Sequence, residues 1–425
     1  MSRTFAVLAL HASLVGFAAC EARAADWPEW LGPARDGAST EAVNPWKEAP
    51  AVVWHQRAGK AFSSPIVADG IAFAHALAEG KEAEDVLAFD ANTGKLRWRD
   101  SYLRAKYRSQ LGAGPRATPC VADGSLITYG ITGTLSCYEA RTGKLQWRVN
   151  PYEANKLTLP HFGVCSSPIV AAGRVIVLVG GAEFAVAAYD LSTGKLAWKA
   201  LDEPAGSASP TLLRRGPDGA GREIVAQTTL RMVGIDPADG KVRWEQPLVF
   251  EPTGVSPTPF AVGNLMLCTT QGSGTLAIEL PGKGRATPQL KWTKADFSGY
   301  FSTGTIGPDG AALIVTNALS PVPRADLRCL DPARGDELWH KGGLGYFHVG
   351  VLATANGKLL LLNDAGDLTL AEVTRKGYRQ LVKSHVCHGT FCSPALAGGR
   401  LYVRDDKEVI CLDLNTPAKT TAKGR

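Results

Sequence analysis

The stretch HVCHGTFC, from His385 to Cys392, places two histidines and two cysteines within eight residues of a 425-residue chain that has only 8 histidines. Imidazole and thiolate are transition-metal ligands. In an oxidising compartment Cys387 and Cys392 also form the one sequence-local pair suited to a disulfide. The spacing His388-x-x-x-Cys392 recurs as His161-x-x-x-Cys165, and a third histidine, His348, sits in the glycine-rich run GGLGYFHVG. Arg116, in LGAGPRATP, presents a guanidinium suited to a carboxylate or phosphate. Tyr300 and Tyr346 lie in the comparable segments ADFSGYF and GGLGYFHVG. The candidate ligand set is therefore Arg116, His161, Tyr300, Tyr346, His348 and His388, with the three histidines as the candidate metal set.

Familiar self-contained motifs are missing. The sequence holds no G-x-S-x-G, H-E-x-x-H, Walker loop, C-x-x-C or C-x-x-C-H, which argues against several common hydrolases, P-loop enzymes and c-type haem attachment. GSGTLA, at 272 to 277, falls in a strand-to-strand connection, the wrong context for a dinucleotide loop. The formal net charge of +6 comes from interspersed charges of both signs, and no basic run suggests nucleic acid.

The elements that position these residues are repeats. DANTGKLRW, EARTGKLQW, DLSTGKLAW, DPADGKVRW and DPARGDELW share one pattern, and tryptophans recur at 54, 98, 147, 198, 244, 292 and 339. A second phrase comes earlier in most repeats: SSPIVADG, ATPCVADG, SSPIVAAG, SASPTLL, SPTPFAVG and CSPALAGG. NGKLLLLNDAGDLTLAEV keeps the strand pattern of a further unit, with Tyr378 where a tryptophan is due. The last unit stops after three strands, whereas Val52 to His55 is a tryptophan strand with nothing before it. The expectation is an all-β, eight-bladed propeller of four-stranded antiparallel blades, residues 51–415, closed when the N-terminal strand completes the last blade, so that no sheet edge is left open at the seam. Residues 25–50 form an N-terminal extension and 416–425 a polar tail.

Repeat alignment also sorts the cysteines. Cys137, Cys329 and Cys411 occupy a slot held elsewhere by Ala88, Ala188, Gly234 and Ala277, and read as small buried hydrophobes; Cys120 and Cys268 read as strand residues of the core. The connections between a tryptophan strand and the next Ser-Pro phrase lie opposite the T-G-K turns. They place His161, His348 and His388 at nearly equivalent points of a funnel rim. Two readings stay open: a polar ligand site around the axis, or residues that satisfy backbone groups at the blade mouths.

The repeat SP-x-V-x-x-G... D-x-x-T-G-K-x-x-W resembles the PQQ-type propeller repeat of the quinoprotein alcohol dehydrogenase-like superfamily over residues 52 to 414, and DWPEWLGPARDG resembles the N-terminal signature of bacterial secreted PQQ-binding-like propellers. The resemblance implies a binding or protein-interaction platform. The superfamily also holds dehydrogenases and the propeller lipoprotein of the outer-membrane β-barrel assembly machinery, so a PQQ- or metal-dependent oxidoreductase and an envelope assembly factor remain alternatives. PQQ is the cofactor the resemblance suggests, although neither the calcium ligands nor the vicinal cysteine pair of the dehydrogenases is matched in this sequence.

Arg3, the apolar run FAVLALHASLVGFAAC, and Ala22 and Ala24 read as a signal peptide over residues 1–24, and thus a secreted, periplasmic protein. The alternative is a lipid anchor at Cys20, against which Phe17 is a bulky residue for a lipobox. No transmembrane span is expected. An envelope protein or a small anionic ligand is the expected partner, and the chain is expected to be a monomer.

Overall fold

A computed structural model of the protein describes residues 26–215, 221–248, 255–282, 287–318 and 322–417. The signal segment 1–24, with Cys20, lies outside these residues, as does the tail beyond Pro417. Among the described residues no helix is long and apolar enough to cross a membrane.

Eight four-stranded antiparallel sheets surround an axis. Blades 1 to 7 span residues 66–103, 120–149, 169–200, 211–247, 260–294, 305–345 and 349–385. Blade 8 is made of Ala395–Ala397, Arg400–Arg404 and Glu408–Pro417, and its fourth strand is Pro50–Arg57, which pairs with Glu408–Pro417. The ring closes as the repeats imply.

Three local devices explain the repeat. First, the turn aspartate organises its own loop: the Asp90 carboxylate accepts from the amides of Asn92 at 3.1 Å and Thr93 at 3.0 Å. This holds the chain for the left-handed Gly94, φ 71°, that a T-G-K turn requires. Second, each tryptophan reaches the following blade. The indole N–H of Trp54 donates to Ala91 O at 2.9 Å, Trp98 to Ala140 O at 3.0 Å, and Trp147 to Leu191 O at 2.8 Å. The next turn's glycine lies flat on the ring: a Cβ on Gly143 would sit 2.5 Å from Trp98. Third, the slot of Ala88, Cys137, Ala188, Gly234, Ala277, Cys329 and Cys411 is the cross-strand partner of a tryptophan in every case. The slot is small because the indole covers it. Just before each tryptophan the outer strand bulges by one residue, such as Arg97 between Leu96 and Trp98. Bulges of this kind twist an edge away from pairing with another sheet.

One seam departs from the pattern. Trp244 donates to Glu223 of its own blade; blade 5 carries ELPGKG where blades 1 to 4 and 6 carry an Asp or Glu four residues before the turn glycine. Blade 7 closes with Tyr378, half-buried against Trp339 at 6.3 Å between rings.

The N-terminal extension is part of the propeller. Trp27 forms an antiparallel bridge with Val67 of blade 1, and Pro28 O accepts from Val121 N of blade 2. The buried Arg35 binds Glu29 at 2.6 Å and Pro168 O, at blade 3, at 3.0 Å. Trp30 Nε1 donates to Thr258 Oγ1, at blade 5, at 2.9 Å, and Asp36 O accepts from Thr305 of blade 6 at 2.6 Å. Ala38 bridges to Ala353 of blade 7, and Glu41 accepts from Gly398 and Gly399 of blade 8. The segment thus crosses the turn side of the ring along the inner strands, and its Trp30 reaches the central cavity.

Candidate functional site in the central funnel

The Ser or Thr before each repeat proline has a defined task. The Ser393 amide donates to Ser64 Oγ at 3.0 Å, Ser64 to Thr118 Oγ1 at 2.9 Å, Thr118 to Ser167 Oγ at 2.9 Å, and Ser167 to Ser209 Oγ at 2.9 Å. Thr258 donates likewise to Thr303 Oγ1 at 3.0 Å. Five of the eight blades thus satisfy an inner-strand amide on the next blade's hydroxyl. In blade 7 the belt position is Gly350, where a Cβ would come 3.1 Å from Ser393 Cα.

Two residues before the belt, successive blades carry Phe62, Arg116, Cys165, Ser207, Ser256, Phe301, His348 and Phe391. All but His348 line a cavity of about 360 Å³ floored by Trp30. The ring is two-sided. Blades 6, 8 and 1 supply an aromatic arc, with Phe391 5.7 Å from Phe62 and 5.8 Å from Phe301, centroid to centroid. Blades 2 to 5 supply Arg116, a thiol and two hydroxyls. Arg116 is the one formally charged side chain of the described lining.

The junction of the two halves is built firmly. Pro115 O accepts from Phe62 N at 2.8 Å and Ser63 N at 3.1 Å. The fully buried Arg404 donates to Gly59 O at 2.7 Å and fixes the connection that leads to Phe62. Arg116 donates to Phe162 O at 2.6 Å, Gly112 O at 3.1 Å and Ser109 Oγ at 3.4 Å, with its guanidinium 5.4 Å from the centre of the Phe62 ring. Among the described residues no carboxylate pairs with it. Burial pushes the Cys165 thiol up, against the opposing pull of Arg116, which keeps it a neutral wall group.

The six sequence candidates separate. Arg116 and Tyr300 line the cavity. His161, Tyr346 and His388 are exposed on the connections outside it. His348 is buried in the wall: Nδ1 donates to Phe301 O at 2.8 Å, the ring lies 6.0 Å from Phe391, and Nε2 has no hydrogen-bond partner. Burial lowers its pKa, so the imidazole is a neutral packing group. The histidines therefore do not converge, and the metal set is corrected: among the described residues no three His, Cys, Asp or Glu side chains gather as metal ligands. The reason is register. His161 stands six residues before its belt position, His348 two and His388 five, so apparent equivalence in sequence becomes three different depths.

The disulfide expectation is corrected too. Cys387 and Cys392 are free thiols. Cys392 Sγ turns across the seam to Ser63 O at 3.5 Å, whereas Cys387 packs in the core around blades 7 and 8. Burial pushes them to about 11 and about 12 respectively.

Sequence reasoning missed Trp30, Phe62, Phe301 and Phe391. For Phe62 and Phe391 the signal was available as the residue two places before the Ser-Pro, and for Phe301 as the same position in a repeat that carries Thr303-Gly304 instead.

A family model described as outer membrane protein assembly factor BamB matches residues 82–341, more than half of the chain. The chain belongs to this family of PQQ-like propellers. Solved PQQ-like propellers of the quinoprotein alcohol dehydrogenase-like superfamily share the fold. A quinohemoprotein alcohol dehydrogenase from Comamonas testosteroni superposes with a TM-score of 0.66 at 14% identity, covering 94% of this chain and 82% of that one. A europium-containing methanol dehydrogenase gives 0.64 at 14%, covering 89% of each. BamB from Moraxella catarrhalis gives 0.57 at 14%, covering 88% of this chain and 99% of that one. In sequence, quinohemoprotein alcohol dehydrogenase ADH-IIG from Pseudomonas putida is 33% identical over 88 residues, which span 20% of this chain and 11% of that enzyme.

The PQQ-like fold raises the question of a quinone with its metal, and the donor set answers it. A hard cation requires several oxygen ligands, carboxylates above all. The described wall of this PQQ-like propeller presents hydroxyls, one amide from Gln110, a thiol and aromatic rings, and no carboxylate. These residues do not fit a metal-assisted quinone, and they include no acidic group to take a proton from a substrate.

Proposed function

We propose that the protein is an exported binding protein whose central funnel receives a small ligand without transforming it. The observation that carries this reading is a central cavity of about 360 Å³, aromatic on one side, with one cation and no carboxylate among its described lining residues. That volume is ordinary for small-molecule sites, where apolar walls supply affinity and a few polar groups supply orientation. Catalysis of alcohol oxidation needs a base and an electrophile, and no residue of the described wall has either role.

A thermal-shift screen of aromatic acids and neutral aromatics tests the reading. Hits raise the melting temperature of the wild type and leave Ser207→Trp, which fills the cavity, unmoved. Equal shifts in both proteins, or none in either, defeat it.

A second reading has support in the family description. An envelope protein seated on the rim would meet Tyr346, 61% exposed in the connection between blades 6 and 7. Cross-linking from Tyr346 replaced by a photoreactive residue, in envelope preparations, yields a discrete adduct if that reading holds and none if it fails.

A further inference from the structure

The asymmetry of the ring narrows the ligand. We infer, on the reading that the funnel binds a small molecule, that it takes a monoanionic aromatic compound, with the ring system against the Phe62, Phe391, Phe301 arc and the anionic group on Arg116. The chain's own charge count sets the first limit. One guanidinium faces the cavity and no acidic side chain opposes it among the described lining residues, so a single negative charge is neutralised there. A second or third carboxylate would lose its water with no partner, which is costly in a walled site. A neutral aromatic leaves the cation uncompensated.

Geometry sets the second limit. A guanidinium has five N–H donors, and the protein contacts of Arg116 use three. The unused ones belong to a side chain already fixed by two carbonyls and by the Phe62 face, so its position is set before a ligand arrives. Preorganisation of this kind favours charge-assisted bonds, which are stronger than neutral ones. Phe62 adjoins Arg116 in the ring, so one planar molecule reaches both: its ring edge or face meets phenylalanine while its substituent meets the guanidinium. On the far side Ser207 and Ser256 leave room, being the smallest of the axial side chains, and Trp30 closes the bottom. The family's quinone, a polycarboxylate held with a metal, is the wrong charge type for this cavity.

Calorimetry with the full mature chain tests the inference, using 2-naphthoate, its neutral isostere 2-naphthamide, and benzene-1,3,5-tricarboxylate. The wild type binds 2-naphthoate at least about tenfold more tightly than 2-naphthamide, as a charge-assisted contact implies, and binds the tricarboxylate more weakly than the naphthoate. Arg116→Gln removes the preference between naphthoate and naphthamide and Arg116→Lys restores part of it, both in protein whose circular dichroism is that of the folded wild type. Equal binding of acid and amide by the wild type overturns the charge assignment and leaves the funnel reading standing, provided that Ser207→Trp abolishes both. Tight tricarboxylate binding overturns the single-charge limit. Failure of every probe, or binding that Ser207→Trp does not disturb, overturns the inference and the funnel reading together. If Arg116→Gln unfolds, the acid-to-amide ratio in Arg116→Lys decides: an unchanged ratio of one in both that variant and the wild type counts against the inference.

Discussion

The turn face and the mouth of this propeller are made from the same repeats, yet they spend their side chains differently. On the turn face, Trp54, Trp98 and Trp147 each leave their own blade to hydrogen-bond the next, and a glycine must lie on each ring. Residue type is dictated there by a neighbour. At the mouth, the axial position is Phe, Arg, Cys, Ser, Ser, Phe, His and Phe in successive blades, because the amide-to-hydroxyl belt just below already joins them. A position released from holding blades together is one where chemistry can vary without loss of the ring.

The contrast breaks most sharply at glycine. Gly143→Val forces a β-branched residue into φ 75° and a Cβ to 2.5 Å from Trp98; we expect about 3 kcal/mol or more of destabilisation, read from urea unfolding. Trp147→Phe loses the bond to Leu191 O and some buried area, and should cost about 2 kcal/mol in the same measurement. Phe391→Ala at the mouth, 36% exposed, should cost less, about 1 kcal/mol, while it weakens aromatic probe binding. A mouth substitution as damaging as the glycine would erase the distinction.

Acid should separate the two faces as well. Arg97 holds the Asp90 carboxyl at about 2 rather than 3.8, and the Ser192 and Thr193 hydroxyls hold Asp190 at about 2. A folded pKa below the unfolded one means stability that is present above the unfolded value and lost as pH falls toward the folded one, so the turn face weakens between pH 3.8 and about 2. Asp90→Asn should flatten that part of the urea-midpoint profile. The buried His348 also has a lowered pKa, so the mouth loses stability as pH falls below 6.5, and His348→Gln should flatten that earlier slope. The smallest effect concerns the thiols: a reducing agent should leave the melting temperature unchanged, since Cys387 and Cys392 are unbridged.

Much of the fold was legible because its contacts are repetitive. Trp98 and Trp147 stand in the same phrase, and the missing strand of the last unit could be matched with the orphan Val52 to His55. The site was legible only at Arg116 and Tyr300. His161 and His388 mislead because the connections that carry them differ in length, and a rare residue draws attention that a phenylalanine before Ser-Pro does not. Trp30 was hidden for another reason. Its place under the cavity depends on a path through the axis, past Thr258 and Thr305, and periodicity along the chain has no term for that path.

That path has a consequence for the order of assembly. Residues 26 to 57 provide first the bottom of the cup and then the last strand of the last blade, whose partner Glu408–Pro417 lies at the far end of the chain. On a ribosome the earliest of these segments emerges long before the partner it requires, and contacts so distant in sequence form slowly. Trp30 finds its hydrogen-bond partner in blade 5, but the strand that follows it must wait for Glu408–Pro417, so the N-terminal segment is the first part made and the last to be locked in place.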